Sequence, residues 1–240
     1  MPARPRAIRA LIFDVFGTVV DWRTCVAREL AAFGRSCGVD ADWAQVADGW
    51  RARYQPAMEE VRSGRRAWTI LDALHRETLE GVLADHGLPL PDGPALDELT
   101  LAWHRLNPWP DAVAGLTRLK ARFTIGTLSN GNTVLLSDMA QHAGLPWDVL
   151  LGAETAQAYK PLPQAYLRNV ASLGLEPGHV MLVAAHNGDL AAASALGLRT
   201  AFVIRPTEHG PGQRTDLAPT GDWDVVVDSI PAVADALGCA

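Results

Sequence analysis

The chain carries two hydrophobic patterns, and the changes between them divide it into parts. Residues 8–13 form an apolar run rich in branched side chains, which is typical of a buried strand in a parallel sheet. From Thr24 to about Leu106 apolar residues recur at helical spacing, beginning with Val26, Leu30 and Phe33. From Asp111 onwards strand and helix patterns alternate, which indicates a doubly wound parallel sheet.

These patterns predict a set of elements. In the first helical part, Gly34 and Gly38 are expected to end the first helix, and the Pro-rich residues 107–110 mark the end of the last. Further along, helices are predicted at 112–120, 163–173 and 190–196, and another follows Asn132 and runs through Met139 to Gly144. Strands are predicted at 123–128, 149–151, 180–183, 200–204 and 224–227, and a loop at 205–222. We therefore predict an α/β protein whose core comprises residues 1–20 and 107–240. An all-helical cap, residues 21–106, is inserted after the first strand.

Composition narrows the function classes. The 240 residues are 48% hydrophobic and 20% charged, which is ordinary for a globular protein. A net charge of −6 argues against nucleic acid or an anionic membrane as a partner. No apolar run approaches the roughly 20 residues of a membrane span, and no signal peptide is recognisable. Cys25, Cys37 and Cys239 lack metal-site spacing and predict reduced thiols, so a cytoplasmic protein is expected.

The first predicted strand stops abruptly on an acid, Asp14, and Gly17 follows as a turn residue. Ligands of open α/β sheets bind at the carboxyl ends of the strands. Asp14 is therefore placed as a nucleophile or a metal ligand, unless it only caps the turn. Because a carboxylate in an apolar setting is costly without a partner, the rest of the chain should supply a cation.

Three further stretches supply candidate chemistry. Ser129 and Asn130 precede a predicted helix, where hydroxyl, amide and helix N-terminal N–H groups can bind an anion or simply cap the helix. Lys160 is either the partner of Asp14 or a solvated charge. Asp189 follows the strand at 180–183, and His186 before it could accept a proton near neutral pH or serve as a spacer.

In this order, the four stretches resemble the motifs of the haloacid dehalogenase superfamily, whose first-motif aspartate is a covalent nucleophile. Most members are magnesium-dependent phosphatases with a second aspartate two residues on, and here that position is Phe16. A halide leaves without a proton, so Phe16 favours carbon–halogen chemistry. Magnesium-dependent relatives also place two acids in the fourth motif, where this chain has only Asp189. The resemblance therefore implies no metal and no other cofactor.

These departures point to the 2-haloacid dehalogenase branch, which implies further roles. Thr18 and Lys160 would act with Asp14, while Asp189 and His186 would handle water, although dehalogenases typically have serines and an asparagine at positions 184–186. Arg51 follows a tryptophan, as does the arginine that contacts the halide in this branch, but it could also belong to a solvated basic face. Contacts with substrate or halide are further implied for Val15 (through its backbone), Phe16, Trp68, Ser129, Asn130, Tyr166 and Asn187.

The expected function is hydrolytic dehalogenation of small 2-haloalkanoic acids, such as haloacetates and 2-halopropionates, to 2-hydroxy acids through an ester on Asp14. The expected partners are a small halogenated carboxylic acid and a halide ion, and a homodimer is left open. Two alternatives remain. One is a magnesium-dependent phosphatase of the same superfamily, and the other is a non-catalytic anion-binding protein on the same scaffold.

Overall fold

A computed structural model describes residues 7–239, and a parallel sheet of five strands lies at its centre. The strands are β1 (Ala10–Phe13), β2 (Thr124–Thr127), β3 (Val180–Ala184), β4 (Arg199–Val203) and β5 (Val225–Val227). Their order is β2-β1-β3-β4-β5, and every pair is parallel. The order reverses between β1 and β3, and ligands of such sheets bind at this point, beyond the carboxyl ends of the strands. The predicted fold class is confirmed.

Ten helices accompany the sheet within the described residues. Between β1 and β2 lie α1 (Trp22–Cys37), α2 (Trp43–Arg62), α3 (Leu71–Asp85), α4 (Gly93–Thr100) and a 3₁₀ turn (Leu101–His104). The core contains α5 (Ala112–Lys120), α6 (Thr133–Ala143), α7 (Ala153–Ala156), α8 (Pro163–Ser172), the 3₁₀ turn Pro177–His179, α9 (Asn187–Ala195) and α10 (Ile230–Ala236). The purely helical stretch between β1 and β2 is the one that we predict, and we retain its division from the core as a proposal.

Aspartates begin three of the inserted helices. The side chains of Asp21, Asp42 and Asp92 accept hydrogen bonds of 2.9–3.1 Å from backbone N–H groups in the first turns of α1, α2 and α4. Gly38 ends α1 with a left-handed backbone at φ 67°, as predicted. The expectation for Gly34 is wrong, because this glycine lies inside α1. A Cβ there would stand 2.0 Å from the indole of Trp43, so the glycine allows α2 to pack closely.

Other differences between prediction and structure have local causes. Val149 makes only an isolated bridge to Gly126, so the strand predicted at 149–151 is absent from the described sheet. At Leu151 the side chain of Thr127 replaces a partner strand's backbone. Its hydroxyl donates to the Leu151 carbonyl at 2.6 Å and accepts from the Leu151 N–H at 2.8 Å. The short helices α7 and α10 are not predicted from periodicity, because they span only 4 and 7 residues.

The helical insertion joins the core at two adjacent chain crossings. Val20 bridges Pro108, and the N–H of Asp21 donates to the carbonyl of Asn107 at 3.0 Å. Further contacts hold α2 and α3 over the strand ends: Arg62 donates to the Lys160 carbonyl at 3.0 Å, and Asn132 donates to Asp72 at 2.8 Å.

Within residues 7–239, no helix is long and apolar enough to cross a membrane.

Candidate active site

A cavity of about 580 Å³ lies between the carboxyl ends of the strands and helix α2. Both parts of the chain contribute to its wall, with the core supplying most of the charge. Its wall includes three acids, Asp14, Asp189 and Glu208, and three basic side chains, Lys160, His186 and Arg51.

Asp14 ends β1, and its N–H still pairs with the Val183 carbonyl at 3.0 Å. Lys160 donates from Nζ to Asp14 Oδ1 at 2.9 Å and to Asp189 Oδ2 at 2.5 Å. Burial opposes the charged form of Asp14, but Lys160 and His186 outweigh it and hold the pKa of this carboxyl well below its usual range. Burial likewise opposes the charge on Lys160, yet the two carboxylates raise its pKa. Both groups are therefore ionised at neutral pH.

Thr18 orients the Asp14 carboxylate. Its hydroxyl donates to Asp14 Oδ2 at 2.7 Å and accepts from the N–H of Ala185 at 2.9 Å. Gly17, at φ +82°, provides the turn that brings the hydroxyl back to the carboxylate. Asp14 is thus held from both oxygens, by Lys160 on one side and by Thr18 on the other.

His186 stands between two carboxylates. Its Nδ1 lies 3.1 Å from Asp14 Oδ2, and its Nε2 lies 2.9 Å from Oε2 of Glu208. Burial opposes the charged form of His186, but Glu208 and Asp14 raise its pKa well above 6.5. The raised pKa favours the protonated ring between these two carboxylates, and the role of His186 as a proton acceptor for water stays a prediction.

Sequence reasoning missed Glu208, which lies in the predicted loop at 205–222. Its side chain is 1% exposed and also accepts from the indole N–H of Trp22 at 3.1 Å. A Cβ on Gly17 would stand 2.0 Å from Oε1 of Glu208, so only glycine leaves room for this carboxylate. Neither periodicity nor a motif marks Glu208. Glu208 is one of three acids in a loop rich in Pro, Gly and Thr, and this was only a weak signal.

Arg51 reaches the cavity from α2 and lies against aromatic rings. Its guanidinium carbon is 4.1 Å from the ring centre of Tyr54 and 5.3 Å from that of Trp22. Its buried Nη1 has no hydrogen-bond partner among the described residues. Nearby arginines differ, since Arg53 and Arg66 pair with acids and are over a third exposed. The solvated-face alternative fits those two arginines and is wrong for Arg51, which offers a buried donor to an anion.

Three other predicted residues also line the cavity. Asn130 accepts from the backbone N–H of Lys160 at 2.8 Å through Oδ1, so its Nδ2 is the donor that remains for a ligand. The Tyr166 hydroxyl donates to Asp189 Oδ1 at 2.6 Å and thereby fixes that carboxylate. Phe16 places an apolar ring on the wall, with its edge contacts to Tyr54 and Trp103 at 6.5 and 5.9 Å between ring centres.

The structure places two predicted contact residues elsewhere. Trp68 is absent from the cavity wall and packs on Tyr159 instead, with ring centres 5.0 Å apart, so the prediction that it lines the pocket is wrong. Asn187 is also absent from the wall. Its amide donates to Asp216 and to the Ala218 carbonyl and accepts from Thr220 and Trp223, all at 2.8–3.0 Å. These four bonds saturate the amide, so Asn187 ties down the loop and has no donor left for a ligand.

The side chains of Ser129 and Val15 do not line the cavity. Ser129 is 1% exposed and outside the cavity wall, and its hydroxyl accepts from the N–H of Gly131 at 3.1 Å. This hydroxyl serves the turn before α6 and lies off the cavity wall, which argues against the predicted contact with the ligand. The Val15 side chain is buried in the hydrophobic core, which leaves its main chain at the end of β1.

The residues present do not fit a magnesium ion. Magnesium needs an octahedron of oxygen ligands, whereas the ammonium of Lys160 lies between Asp14 and Asp189 and takes an oxygen of each. Phe16 adds no oxygen where a second acid would stand. Across residues 7–239, no cluster of three or more His, Cys, Asp or Glu side chains could hold a metal ion.

Comparisons with known proteins agree on one family. The profile of the haloacid dehalogenase-like hydrolases matches residues 8–197. An (S)-2-haloacid dehalogenase of Pseudomonas sp. (strain CBS-3) is 31% identical over 204 residues, 82% of this chain and 85% of that protein. An (S)-2-haloacid dehalogenase of Xanthobacter autotrophicus is 30% identical over 207 residues, 84% of this chain and 77% of that protein.

Two solved structures are also very similar. A defluorinating L-2-haloacid dehalogenase is 54% identical and superposes with a TM-score of 0.96, covering 99% of this chain and 98% of that one. A second L-2-haloacid dehalogenase is 49% identical with a TM-score of 0.93, covering 97% of this chain and 99% of that one.

Proposed function

This chain belongs to the haloacid dehalogenase-like hydrolase family, and we propose that it hydrolyses the carbon–halogen bond of small 2-haloalkanoic acids to give 2-hydroxy acids. The observation that carries the proposal is the buried Nη1 of Arg51. This donor has no hydrogen-bond partner within residues 7–239 and lies in the wall of the cavity that contains Asp14. The relatives named (S)- and L-2-haloacid dehalogenases support the same substrate class and favour the (S) enantiomer.

In the first step, an oxygen of Asp14 attacks the carbon that bears the halogen, in line and with inversion, and forms an ester. Lys160 supports this step because it keeps Asp14 ionised. Thr18 holds the second oxygen at 2.7 Å and so limits rotation of the carboxylate. Fixing the nucleophile in this way lowers the entropy cost of reaching the transition state.

The departing halide is assigned to Arg51 and to Nδ2 of Asn130. Charge develops on the halogen as the bond breaks, and buried donors stabilise it far more than water-exposed ones do. We assign the substrate carboxylate to the backbone N–H groups that follow Asp14, at Val15 and Phe16. Ser129 is left out of this assignment because its hydroxyl lies outside the cavity wall.

In the second step, water attacks the carboxyl carbon of Asp14 and releases the 2-hydroxy acid. The rings of Phe16 and Tyr54 on the wall keep bulk water from solvating the nucleophile before the substrate arrives.

A cytoplasmic location for this protein stays a prediction. The substrate is a free small molecule in this proposal.

Phosphatase activity is the main rival, and it needs an acid to protonate the leaving oxygen as well as a metal. Phe16 and the position of Lys160 both argue against it. Halide release should be assayed with fluoro-, chloro- and bromoacetate and both enantiomers of 2-chloropropionate, beside a generic phosphate ester with magnesium. Halide release without phosphate release supports the proposal. Phosphate release alone would refute it, and no turnover of either class would favour the anion-binding alternative.

A further inference from the structure

The cavity wall contains one more acid, Asp216, which has no part in the two proposed steps. Asp216 lies in the loop between β4 and β5, and no motif marks it. Its carboxylate faces the same cavity as the proposed nucleophile, Asp14, so any substrate that reaches Asp14 enters its field.

Asp216 is held in place by one of its two oxygens. The backbone N–H and the side-chain amide of Asn187 both donate to Oδ1, each at 2.8 Å. Among the described residues 7–239, nothing donates a hydrogen bond to Oδ2, and no cation forms an ion pair with this carboxylate. The backbone of Asp216 is left-handed at φ 57°, a conformation that aspartate and asparagine adopt more readily than most residues. The carboxylate is therefore fixed, with one oxygen free.

Asp216 lies near the entrance of the cavity. Four members of the wall are exposed and mark the opening to solvent: Ala52, Gln55, Pro161 and Gly188. Gly188 directly follows Asn187, which holds Asp216, and Asp216 is itself half-buried. A substrate whose reacting carbon lies at Asp14 therefore extends its far end towards the free oxygen of Asp216.

The cations deep in the cavity are already paired with acids. Lys160 donates to Asp14 at 2.9 Å and to Asp189 at 2.5 Å. His186 lies 3.1 Å from Asp14 and 2.9 Å from Glu208. Neither cation is free to compensate a second negative charge on a substrate.

Two basic side chains remain on the wall, and both are engaged. The free donor of Arg51 is assigned to the departing halide in the proposed function. Nε2 of His209 lies 3.6 Å from Oε1 of Glu208. The backbone N–H groups of Val15 and Phe16 are assigned to one substrate carboxylate, and no group on the wall is left for another.

The size of the cavity does not exclude larger haloacids. Its volume of about 580 Å³ falls within the roughly 300–1,000 Å³ of sites that hold drug-sized ligands. A four-carbon haloacid therefore fits by volume. Charge is the property by which this wall distinguishes such acids from one another.

We propose that Asp216 is a specificity-determining residue, which excludes halogenated dicarboxylic acids and so selects 2-haloalkanoic acids whose far end is uncharged. This inference rests on the proposed function and deepens it. Its basis is a fixed carboxylate with a free oxygen at the cavity entrance. Two like charges about 6 Å apart repel enough to weaken binding by about 3-fold in water and about 100-fold near a protein surface.

Two substrates of equal size test the inference. They are 2-chlorosuccinate and its amide at the carboxyl group farther from chlorine, which differ by one negative charge. The measurement is kcat/KM for halide release from each, corrected for the spontaneous reaction, with 2-chloropropionate as the reference substrate. The wild-type enzyme should prefer the amide by about 3–100-fold. This preference should shrink when a non-halide salt is raised from 0.1 to 1 M, because the screening length falls from about 10 to about 3 Å.

Asp216→Asn should bring the ratio of the two kcat/KM values close to one. Asparagine keeps an oxygen for the two donors of Asn187 and suits the left-handed backbone, and Asp216→Gly is a second variant without the carboxylate. Asp222→Asn is the matched control, because Asp222 lies in the same loop, is exposed and is absent from the wall. It should keep the wild-type ratio. A merely structural role of Asp216 would change the turnover of both substrates alike and leave their ratio unchanged.

Three results would overturn the inference. One is equal kcat/KM for the diacid and the amide in the wild-type enzyme. Another is a wild-type ratio in both Asp216→Asn and Asp216→Gly. The third is exclusion of the amide together with the diacid while 2-chloropropionate is turned over, since size would then set the limit. Failure of the proposed function is distinguishable, because the wild-type enzyme would then release no halide from 2-chloropropionate either.

Discussion

The ammonium of Lys160 donates to Oδ1 of Asp14 at 2.9 Å, across 146 positions of sequence. The sequence argument that an acid at the end of β1 requires a cation is thereby confirmed. Both side chains are at most 10% exposed. Removing one partner of such a buried pair typically costs about 3–5 kcal/mol of stability, because the other charge is left without compensation. Each charge therefore depends on the other to remain buried, and the pair prepares the proposed nucleophile.

The first prediction concerns the fate of oxygen. During a single turnover in H₂¹⁸O, the label should enter the Asp14 carboxylate, because water attacks that carboxyl carbon in the second step. Mass spectrometry of the peptide that contains Asp14 makes the measurement. Label found only in the 2-hydroxy acid would mean that water attacks the substrate directly, and the covalent mechanism would be wrong.

The second prediction tests Arg51 against a matched neighbour. Arg51→Ala should reduce turnover by about 10²–10³-fold, the usual cost of removing one charge-stabilising donor. The loss should be larger for chloroacetate than for bromoacetate, since chloride leaves less readily. Arg51→Lys should recover only part of the rate, because a point charge lacks the planar donor fork. Steady-state kinetics with both substrates provides the measurement.

Arg53→Ala is the control for this experiment. Arg53 lies on the same helix, is partly exposed and pairs with Asp85 at the surface, so its loss should change stability by no more than about 0.5 kcal/mol and leave turnover intact. Equal losses for chloride and bromide in Arg51→Ala would reassign Arg51 to the substrate carboxylate. Unchanged turnover would remove the halide site altogether.

The third prediction is that activity survives exhaustive chelation. Lys160 already bridges Asp14 and Asp189, and Phe16 supplies no oxygen, so a divalent cation has too few ligands at this place. Halide release should be the same before and after treatment with EDTA. A related phosphatase that requires magnesium serves as the positive control for metal removal. Loss of activity that added magnesium restores would favour the phosphatase alternative.

The fourth prediction concerns stability and pH through His75 of α3. This ring is buried against Trp103, with centres 4.4 Å apart, and neither ring nitrogen has a hydrogen-bond partner among the described residues. Burial lowers its pKa from 6.5 to about 3. Below pH 6.5 the unfolded chain therefore binds a proton at His75 that the folded protein does not bind. The free energy of unfolding consequently falls by up to about 1.4 kcal/mol for each unit by which the pH is lowered.

His75→Phe removes this proton-linked loss. Its free energy of unfolding, relative to that of the wild-type protein, should rise by about 2 kcal/mol between pH 7 and pH 5, as measured by urea unfolding. His142→Gln, at an exposed histidine, is the matched control for loss of an imidazole. An equal difference at the two pH values would mean that His75 does not titrate in this way.

Much of the fold could be predicted because parallel strands bury both faces. The apolar runs ending at Phe13 and Val183 therefore stand out from their surroundings. The region near Val149 has a similar composition, yet it fails as a strand because the Thr127 side chain replaces a backbone pair. A side-chain hydrogen bond that replaces a backbone pair depends on one hydroxyl, and it leaves no periodic pattern in the sequence.

The candidate site was predictable only where a motif marks it. Asp14, Lys160 and Asp189 meet as expected, whereas Glu208 was missed because its partners His186 and Trp22 are 22 and 186 positions away. The two alternatives for Arg51 could not be separated from sequence either. The partner of Arg53 lies 32 positions along the chain, so only the fold reveals whether an arginine of α2 pairs with an acid.

The chain enters and leaves the helical insertion at neighbouring points, so another segment could in principle replace that insertion. Val20 bridges Pro108, and the Trp109 N–H donates to the Val19 carbonyl at 2.9 Å, so the chain leaves the core and returns at neighbouring points. A foreign segment whose two ends lie about 5 Å apart, the spacing of adjacent strands, could therefore be grafted here without breaking a sheet pair. A transplanted segment would have to supply a halide donor in place of Arg51 and a partner for Glu208 in place of Trp22, while the nucleophile and its lysine stay in the core.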